Sequence, residues 1–158
     1  LLLELMKSKK ANSSINLPND VVANKCYNML ELKRDIGEIT NYEIEFDEYA
    51  TLPNGHIIER VLDTDDNSNC TCRLSSAEVS LPLIVRTRKI GDKMYVKGMD
   101  GSKKIKDIFI NSKIKLSERD SWPIVLDSKN RVVWIPGVKK SKFDKKKVDS
   151  YDIILKYI

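Results

Sequence analysis

Residues 81–111, LPLIVRTRKIGDKMYVKGMDGSKKIKDIFIN, decide the fold. Their first part, LPLIVRTRK (81–89), begins with an apolar run and contains β-branched residues, which predicts a strand. Gly91-Asp92 predicts a turn, and KMYV (93–96) predicts a short second strand. The segment therefore begins as two strands joined by a tight connection.

The second part of this segment predicts a helix. Gly98 and Gly101 bracket a turn, and Ser102 follows at the position of a helix N-cap. The next apolar residues have the three-and-four spacing of a buried helical stripe: Ile105, Ile108 and Phe109. We therefore expect a helix over 103–111.

The residues downstream predict further strands. WPIVLD (122–127) and RVVWIPG (131–137) are typical of a β-hairpin that turns around 128–130. YDIILKYI (151–158) predicts a closing strand.

Upstream, the pattern is more acidic. Apolar and acidic residues alternate over 42–47, which predicts an amphipathic strand with an acidic outer face. A turn at 53–55 leads into a candidate strand, HIIERVL (56–62). The polar run DTDDNSN (63–69) predicts a loop or a domain boundary.

The first thirty residues are less decisive. LLLELMKSKK (1–10) predicts the end of a helix, ANSSIN (11–16) a polar connector and LPND (17–20) a turn. VVANKCYNML (21–30) fits either a strand or a short helix. Because the chain opens at Leu1 rather than at Met, we expect an excised piece whose upstream part is missing.

Strands with one or two helices and no βαβ alternation predict an α+β fold with two small domains. The first, 1–80, is expected to combine the end of a helical region with acidic strands. The second, 81–158, is expected to be a basic domain, a mixed β-sheet with one or two short helices.

The charges divide along the chain. Residues 1–81 contain 8 Lys and Arg against 14 Asp and Glu, a net charge of −6, whereas residues 82–158 contain 20 against 9, a net charge of +11. A basic half predicts a surface for a polyanion, because each neutralised phosphate releases condensed counterions. A lysine-rich surface that only faces water is the alternative.

Several classes of protein are disfavoured. The longest apolar runs, such as 81–85, have about five residues, against the roughly 18–20 that span a bilayer, so no membrane partner is expected. An odd number of cysteines indicates a reducing compartment: Cys26, Cys70 and Cys72. With one histidine, His56, and none of the common phosphate-loop, dinucleotide or metalloprotease motifs, we predict no catalytic, metal or cofactor site.

Lys103, Lys104 and Lys106 form the first basic cluster. In the first turn of the predicted helix, they and the exposed N–H groups would suit a phosphate. Alternatively, the glycines before them only supply the turn and the lysines face water.

Two further basic clusters follow from the same argument. Arg86 and Arg88, with Lys89 beside them, project from one strand face and suit bidentate phosphate contact, unless they pair with Asp92 or Asp107. The third cluster contains Lys139, Lys140 and Lys142, followed by Lys145, Lys146 and Lys147. Trp122 and Trp134 could stack on unpaired bases, although their apolar neighbours favour core packing.

From residue 81 onward the chain resembles the C-terminal domain of the tRNA(Ile)-lysidine synthase family. The likeness lies in four blocks in order: PLIVRTRKIGD (82–92), KGMDGSKKIKDIFI (97–110), RDSWPIV (119–125) and VVWIPGV (132–138). Residues 1–80 resemble more loosely the end of the helical region and the linking domain of these enzymes, at LPND (17–20) and Tyr27.

The resemblance implies a division of labour. Enzymes of this family use ATP to join lysine to the wobble cytidine of tRNA(Ile), at an S-G-G-x-D-S loop in an N-terminal catalytic domain that has no counterpart here. This chain would then have no ligase activity and no cofactor of its own, ATP and lysine being substrates of the parent enzyme. It would hold tRNA(Ile), chiefly at the acceptor stem, in the cytoplasm and beside the missing catalytic domain, and a homodimer is allowed.

The residues that would contact RNA under this resemblance are basic. They are Arg86, Arg88, Lys89, Lys97, Lys103, Lys104, Lys106, Arg119, Lys139, Lys140 and Lys142. Two other functions stay open: a KH-like module that clamps single-stranded RNA with its G-x-x-G loop, and an oligomerisation module in which the acidic half of one copy meets the basic half of another.

Overall fold

The computed structural model describes residues 2–7, 12–17, 21–27, 29–34 and 40–158. Short helices and many strands confirm the α+β class. The elements are α1 (Leu2–Lys7), β1 (Asn12–Leu17), β2 (Val21–Cys26), β3 (Met29–Arg34), β4 (Glu43–Phe46), β5 (Tyr49–Thr51), β6 (Ile57–Arg60), β7 (Thr71–Leu74), β8 (Leu83–Arg86), β9 (Lys93–Met94), β10 (Lys103–Lys104), α2 (Ile105–Asn111), α3 (Leu116–Arg119), β11 (Ile124–Leu126), β12 (Val132–Ile135), β13 (Lys139–Lys140) and β14 (Ile153–Tyr157). None of the described helices has the length and apolar character needed to cross a membrane.

These elements form two compact units. The first consists of Leu1–Glu38 and Lys115–Arg119, and the second of Ile39–Ile114 and Asp120–Ile158. Strands from both sides of residue 80 share sheets in the second unit, since β4 pairs with β8 and β14 pairs with both β6 and β7. The predicted division at 80/81 marks a change from acidic to basic composition in the sequence.

The first unit contains an antiparallel three-stranded sheet in the order β1-β2-β3. In the undecided segment 21–30, residues 21–26 and 29–30 lie in strands. The connector predicted at 11–16 is wrong, because Asn12–Leu17 pairs along its whole length with β2. The predicted helix end at 1–10 is confirmed by α1. The turn predicted at 17–20 falls largely on residues 18–20, which lie outside the described residues.

The second unit contains a five-stranded sheet, β13-β12-β11-β8-β4, and a four-stranded sheet, β5-β6-β14-β7. Every strand pair between described residues is antiparallel, which corrects the predicted mixed sheet. The reason is that the strands are connected by turns and loops and not by crossover helices. The β11–β12 hairpin and the closing strand β14 are confirmed.

The middle strands of the five-stranded sheet are buried on both faces. Val125 on β11 belongs to a core shared with the four-stranded sheet, whereas its neighbours Ile124 and Leu126 belong to a second core under α2. Strands that are buried on both faces are apolar without interruption, as β11 and β12 are. The sheet is therefore the middle layer of this unit.

Both tryptophans take part in this packing. Trp134 on β12 is fully buried, and its Nε1–H donates to the carbonyl of Asn69 at 2.9 Å. Trp122 packs against the second core, and its Nε1–H donates to the carbonyl of Pro136 at 2.9 Å. Of the two roles that the sequence left open, the structure shows core packing.

The helix predicted over 103–111 exists but begins later. Lys103 and Lys104 pair with β9, so α2 starts at Ile105. The position before the helix is Lys104, in extended conformation and without a side-chain cap, so Ser102 is not the N-cap. Backbone pairing with β9 prevails over the local preference for an earlier helix start.

Truncating the buried face of α2 should destabilise the second unit. Ile108 is 2% exposed and packs in the second core, whereas Ile110 on the same helix is 42% exposed. We expect Ile108→Ala to lower the free energy of unfolding by roughly 2–5 kcal/mol, because it leaves a cavity. Ile110→Ala, the matched control, should change it by about 0.5 kcal/mol. Urea unfolding measures both, and equal losses would contradict this assignment of the helix faces.

Candidate nucleic-acid interface

Residues 93–97 are paired on both sides. On one side β9 pairs with β10, so that Lys93 lies opposite Lys104 and Met94 opposite Lys103. On the other side Val96 forms a β-bridge with Ser141, which is flanked by backbone hydrogen bonds from Lys97 N–H to the Lys140 carbonyl (3.1 Å) and from Lys142 N–H to the Tyr95 carbonyl (2.8 Å). We call the segments 93–97, 103–104 and 139–142 together the lysine ribbon.

The lysine ribbon brings together six of the predicted contact residues. They are Lys97, Lys103, Lys104, Lys139, Lys140 and Lys142. A seventh, Lys106, follows directly in the first turn of α2. Sequence reasoning missed Lys93 and Tyr95, although the alternation of Lys93, Tyr95 and Lys97 with buried Met94 and Val96 is the period-two signal of one outward face.

The exposed lysines of this region carry uncompensated charge. Lys93, Lys104 and Lys106 are exposed, as are Lys139 and Lys142. Across the described segments of the chain, none of these five ammonium groups has a carboxylate within 4 Å. Their charge is therefore available to an external anion.

An aromatic side chain lies among these lysines. The Tyr95 side chain is 46% exposed, and the Lys142 ammonium lies 4.7 Å from the centre of its ring. Such a cation–π contact holds the ammonium over the ring while both remain accessible to a ligand.

Lys97 and Lys140 are in a different situation, because they flank the buried carboxylate of Asp144. The Lys97 Nζ donates to Asp144 Oδ2 at 2.6 Å, and the Lys140 Nζ lies 4.0 Å from the same oxygen. One carboxylate thus partly neutralises two ammonium groups.

Arg86 is buried and makes a two-point ion pair with Asp92. Its Nη1 and Nη2 donate to the two carboxylate oxygens at 2.8 and 3.0 Å. The Lys89 backbone N–H also donates to Asp92, at 2.6 Å. Of the two roles left open by the sequence, the structure shows pairing with Asp92, in an arrangement that ties the end of β8 to the turn before β9.

The same contacts set the ionisation of Asp92. Burial alone would raise the pKa of its carboxyl group. The hydrogen bonds from Arg86 and Lys89, and their positive charges, outweigh burial and hold the pKa below its usual range. Asp92 is therefore charged at neutral pH, as its ion pair with Arg86 requires.

The remaining predicted residues lie in three different settings. Lys89 is exposed, with its ammonium 3.8 Å from a Glu43 carboxylate oxygen. Arg88 donates to Asp120 from Nε (3.1 Å) and Nη2 (3.0 Å), and its guanidinium lies 5.5 Å from the centre of the Phe109 ring. Arg119 is buried and belongs to the first unit.

The G-x-x-G turn at 98–101 follows β9 and precedes β10. Gly98 and Gly101 both have positive φ, 77° and 74°, a conformation that favours glycine and confirms the predicted turn. A KH module needs helices around this loop, whereas here the flanking elements are antiparallel strands. The turn serves to place Lys103 and Lys104 beside Lys93.

Comparisons with known proteins assign the family. A family model described as the TilS substrate C-terminal domain matches residues 83–153. A solved structure, described as the crystal structure of the TILS C-terminal domain, is 41% identical with a TM-score of 0.67, and the match covers 75% of this chain and 96% of that one. The chain belongs to the TilS C-terminal domain family.

Longer relatives contain the TilS C-terminal domain as one part. The tRNA(Ile)-lysidine synthase of Bacillus subtilis is 48% identical over 115 residues, which is 70% of this chain and 24% of the relative. The bifunctional protein TilS/HprT of Listeria monocytogenes is 38% identical over 150 residues, 91% of this chain and 23% of the relative. The chain thus spans about a quarter of the length of these relatives.

The ion pair between Arg86 and Asp92 should stabilise this TilS C-terminal domain in a pH-dependent way. Because the folded-state pKa of Asp92 is lowered, its contribution is present above the ordinary carboxyl pKa of about 3.9 and is lost as the pH falls through the folded-state value. We expect Asp92→Asn to cost roughly 3 kcal/mol at pH 7, since it removes the two-point partner of the buried Arg86 and leaves only the exposed Glu43 carboxylate, 3.9 Å from its Nε.

Urea unfolding of the wild type and Asp92→Asn from pH 7 to pH 2 measures this. The difference between them should shrink below about pH 4. Asp100→Asn, which removes an exposed carboxylate, is the control and should change stability by about 0.5 kcal/mol at pH 7. A difference that stays constant down to pH 2 would argue against this role of the carboxylate.

Proposed function

We propose that this chain is the tRNA-binding part of a tRNA(Ile)-lysidine synthase and that it holds tRNA(Ile) by its sugar-phosphate backbone. The support is the family membership together with the names of the longer relatives, which include tRNA(Ile)-lysidine synthase. In this proposal the ligation of lysine to the wobble cytidine, with ATP as co-substrate, occurs in the remaining part of the enzyme. The chain acts in the cytoplasm with that part, which is its first partner.

The observation that carries the proposal is the group of exposed lysines on and beside the lysine ribbon whose ammonium groups have no carboxylate within 4 Å in the described part of the chain. Ammonium groups on flexible side chains bind phosphates as point charges and do not select bases. Contacts of this type position a protein on a folded RNA without reading its sequence. The lysine ribbon therefore suits contacts with the backbone phosphates of a folded tRNA, whose positions depend on the shape of the RNA.

A backbone grip contributes to catalysis by positioning. Holding one end of a substrate fixes the reacting end relative to a distant active site and lowers the entropic part of the barrier. We propose that the acceptor stem is the part that the lysine ribbon holds, so that the anticodon reaches the catalytic domain.

We do not assign direct phosphate contacts to three of the predicted residues, Arg86, Arg88 and Arg119. Arg86 and Arg88 are engaged by Asp92 and Asp120, and Arg119 is buried. We assign Arg86 and Arg88 to the support of the surface that carries the lysines, and we assign the direct contacts with phosphate to the exposed lysines.

Removing a facing pair of lysines should weaken tRNA binding and its salt dependence together. Lys93 and Lys104 lie opposite each other across the β9–β10 pair. For Lys93→Gln/Lys104→Gln we expect the slope of log K against log salt to fall by about two, roughly one for each lost phosphate contact. Filter binding of the chain to a tRNA(Ile) transcript between 50 and 300 mM KCl measures it.

Two controls make this result specific. Lys129→Gln removes one exposed lysine from the turn of the β11–β12 hairpin and should leave the slope unchanged. A single-stranded RNA of the same length tests the KH-like alternative, which predicts that it binds better than folded tRNA. If the double variant retains the wild-type slope, these two lysines do not contact phosphate.

The acceptor-stem assignment has its own test. With the chain bound, hydroxyl-radical cleavage of tRNA(Ile) should be reduced in the acceptor stem and unchanged in the anticodon loop. Lys93→Gln/Lys104→Gln should reduce the protection at equal RNA concentration. Protection confined to the anticodon loop would contradict the assignment while leaving RNA binding intact.

A further inference from the structure

The second unit contains a basic cavity of about 290 Å³. Its lining combines parts of the chain that are distant in sequence: Asn67 in the loop before β7, Arg73 on β7, Lys97 and Lys140 of the lysine ribbon, and residues 144–148. The volume is several times the roughly 30 Å³ that a water molecule occupies in the liquid, so the cavity has room for a small anion or for a group of a larger ligand.

Arg73 carries a buried positive charge that no carboxylate of the described residues balances by direct contact. The residue is 2% exposed, and its Nη1 donates to Asn67 Oδ1 at 3.0 Å. Its Nη2 donates to the carbonyls of Thr64 and Asp66, at 2.9 and 3.2 Å. All of these acceptors are neutral oxygens, and no carboxylate in the described part of the chain lies within 4 Å of the guanidinium.

The Arg73 Nε is buried and has no hydrogen-bond partner among the residues that the structure describes. The Tyr151 ring, whose centre is 5.8 Å from the guanidinium carbon, offers weak compensation through its π face. A buried charged group without a counter-charge, and with a donor unsatisfied, is unfavourable unless a ligand completes it.

The other charged groups on the cavity wall also leave an excess of positive charge. Asp144 is 5% exposed, and its Oδ1 accepts from the backbone N–H of Arg73 at 3.0 Å while its Oδ2 accepts from Lys97. Against this one carboxylate stand the charges of Arg73, Lys97, Lys140 and Lys146, an excess of three. Lys145 and Lys147 pair with Glu78 and Asp65, so they do not contribute to it.

We propose that this cavity binds a phosphate group. A dianionic or monoanionic tetrahedral oxyanion accepts several hydrogen bonds at once, which matches the two ammonium groups of Lys97 and Lys140, and its negative charge would balance the buried Arg73 guanidinium beside them. The inference rests on the cavity's own contacts and not on the proposed role in tRNA binding. The group can belong to an RNA strand that continues from the lysine ribbon, or it can be free phosphate.

A titration with inorganic phosphate tests the proposal. The Nε–H resonance of Arg73 is followed by two-dimensional ¹H–¹⁵N NMR of the chain at constant ionic strength, with chloride as the replaced anion. We expect a saturable change of its chemical shift, because a bound anion brings negative charge next to the guanidinium. A shift that drifts linearly with phosphate, or none, would overturn the site.

Matched variants separate a site from a general attraction of anions. Lys140→Gln should weaken phosphate binding by about tenfold, the effect of one lost charge-assisted hydrogen bond. Lys97→Gln serves as a second variant if the first is poorly folded. Lys129→Gln, which removes the same charge outside the cavity, should alter the affinity for phosphate less than twofold. If Lys129→Gln weakened phosphate binding as much as Lys140→Gln, a localised site would be refuted.

Adding a tRNA transcript to the phosphate-saturated chain identifies the source of the group. If RNA displaces inorganic phosphate and shifts the same Arg73 resonance, the cavity binds a phosphate of the RNA. If tRNA binds while the phosphate-induced shift persists, the site takes free phosphate. Because phosphate binding is measured without RNA, a failure of the proposed tRNA role leaves this result unaffected.

Discussion

Backbone pairing on both sides of residues 93–97 holds the candidate interface together. Met94 and Val96 point into the second core, which forces Lys93, Tyr95 and Lys97 outward. The neighbouring strands then add Lys104, opposite Lys93, and Lys140 and Lys142, on either side of Ser141, to this face. Without these two rows of hydrogen bonds, the three segments of the lysine ribbon would be unrelated stretches of surface.

The fold could be predicted where local pattern and tertiary packing agree. The β11–β12 hairpin, the strand β14 and the buried stripe of α2 follow directly from apolar spacing and turn residues. The start of α2 could not be predicted, because Lys103 and Lys104 are recruited by β9, a partner nine or more residues away. The strand β1 was missed for the same reason, since its polar sequence becomes a strand only through pairing with β2.

The candidate site was predictable in composition and less so in detail. Basic residues after position 82 identify the surface, but sequence cannot tell a paired cation from a free one, since the partner lies far along the chain. Arg88 meets Asp120, 32 residues on, and Lys97 meets Asp144, 47 residues on. The basic residues after position 82 thus form two groups: one pairs with carboxylates and stabilises the fold, and the other faces outward.

The positions of the two tryptophans allow the unfolding of the second unit to be followed separately by fluorescence. Both Trp122 and Trp134 belong to the second unit, and residues 1–38 contain none. Tryptophan fluorescence therefore follows the unfolding of the second unit, whereas far-ultraviolet circular dichroism follows the backbone of both. Coincident or separate transitions by these two probes would distinguish a chain that unfolds as a single cooperative body from one whose units melt independently.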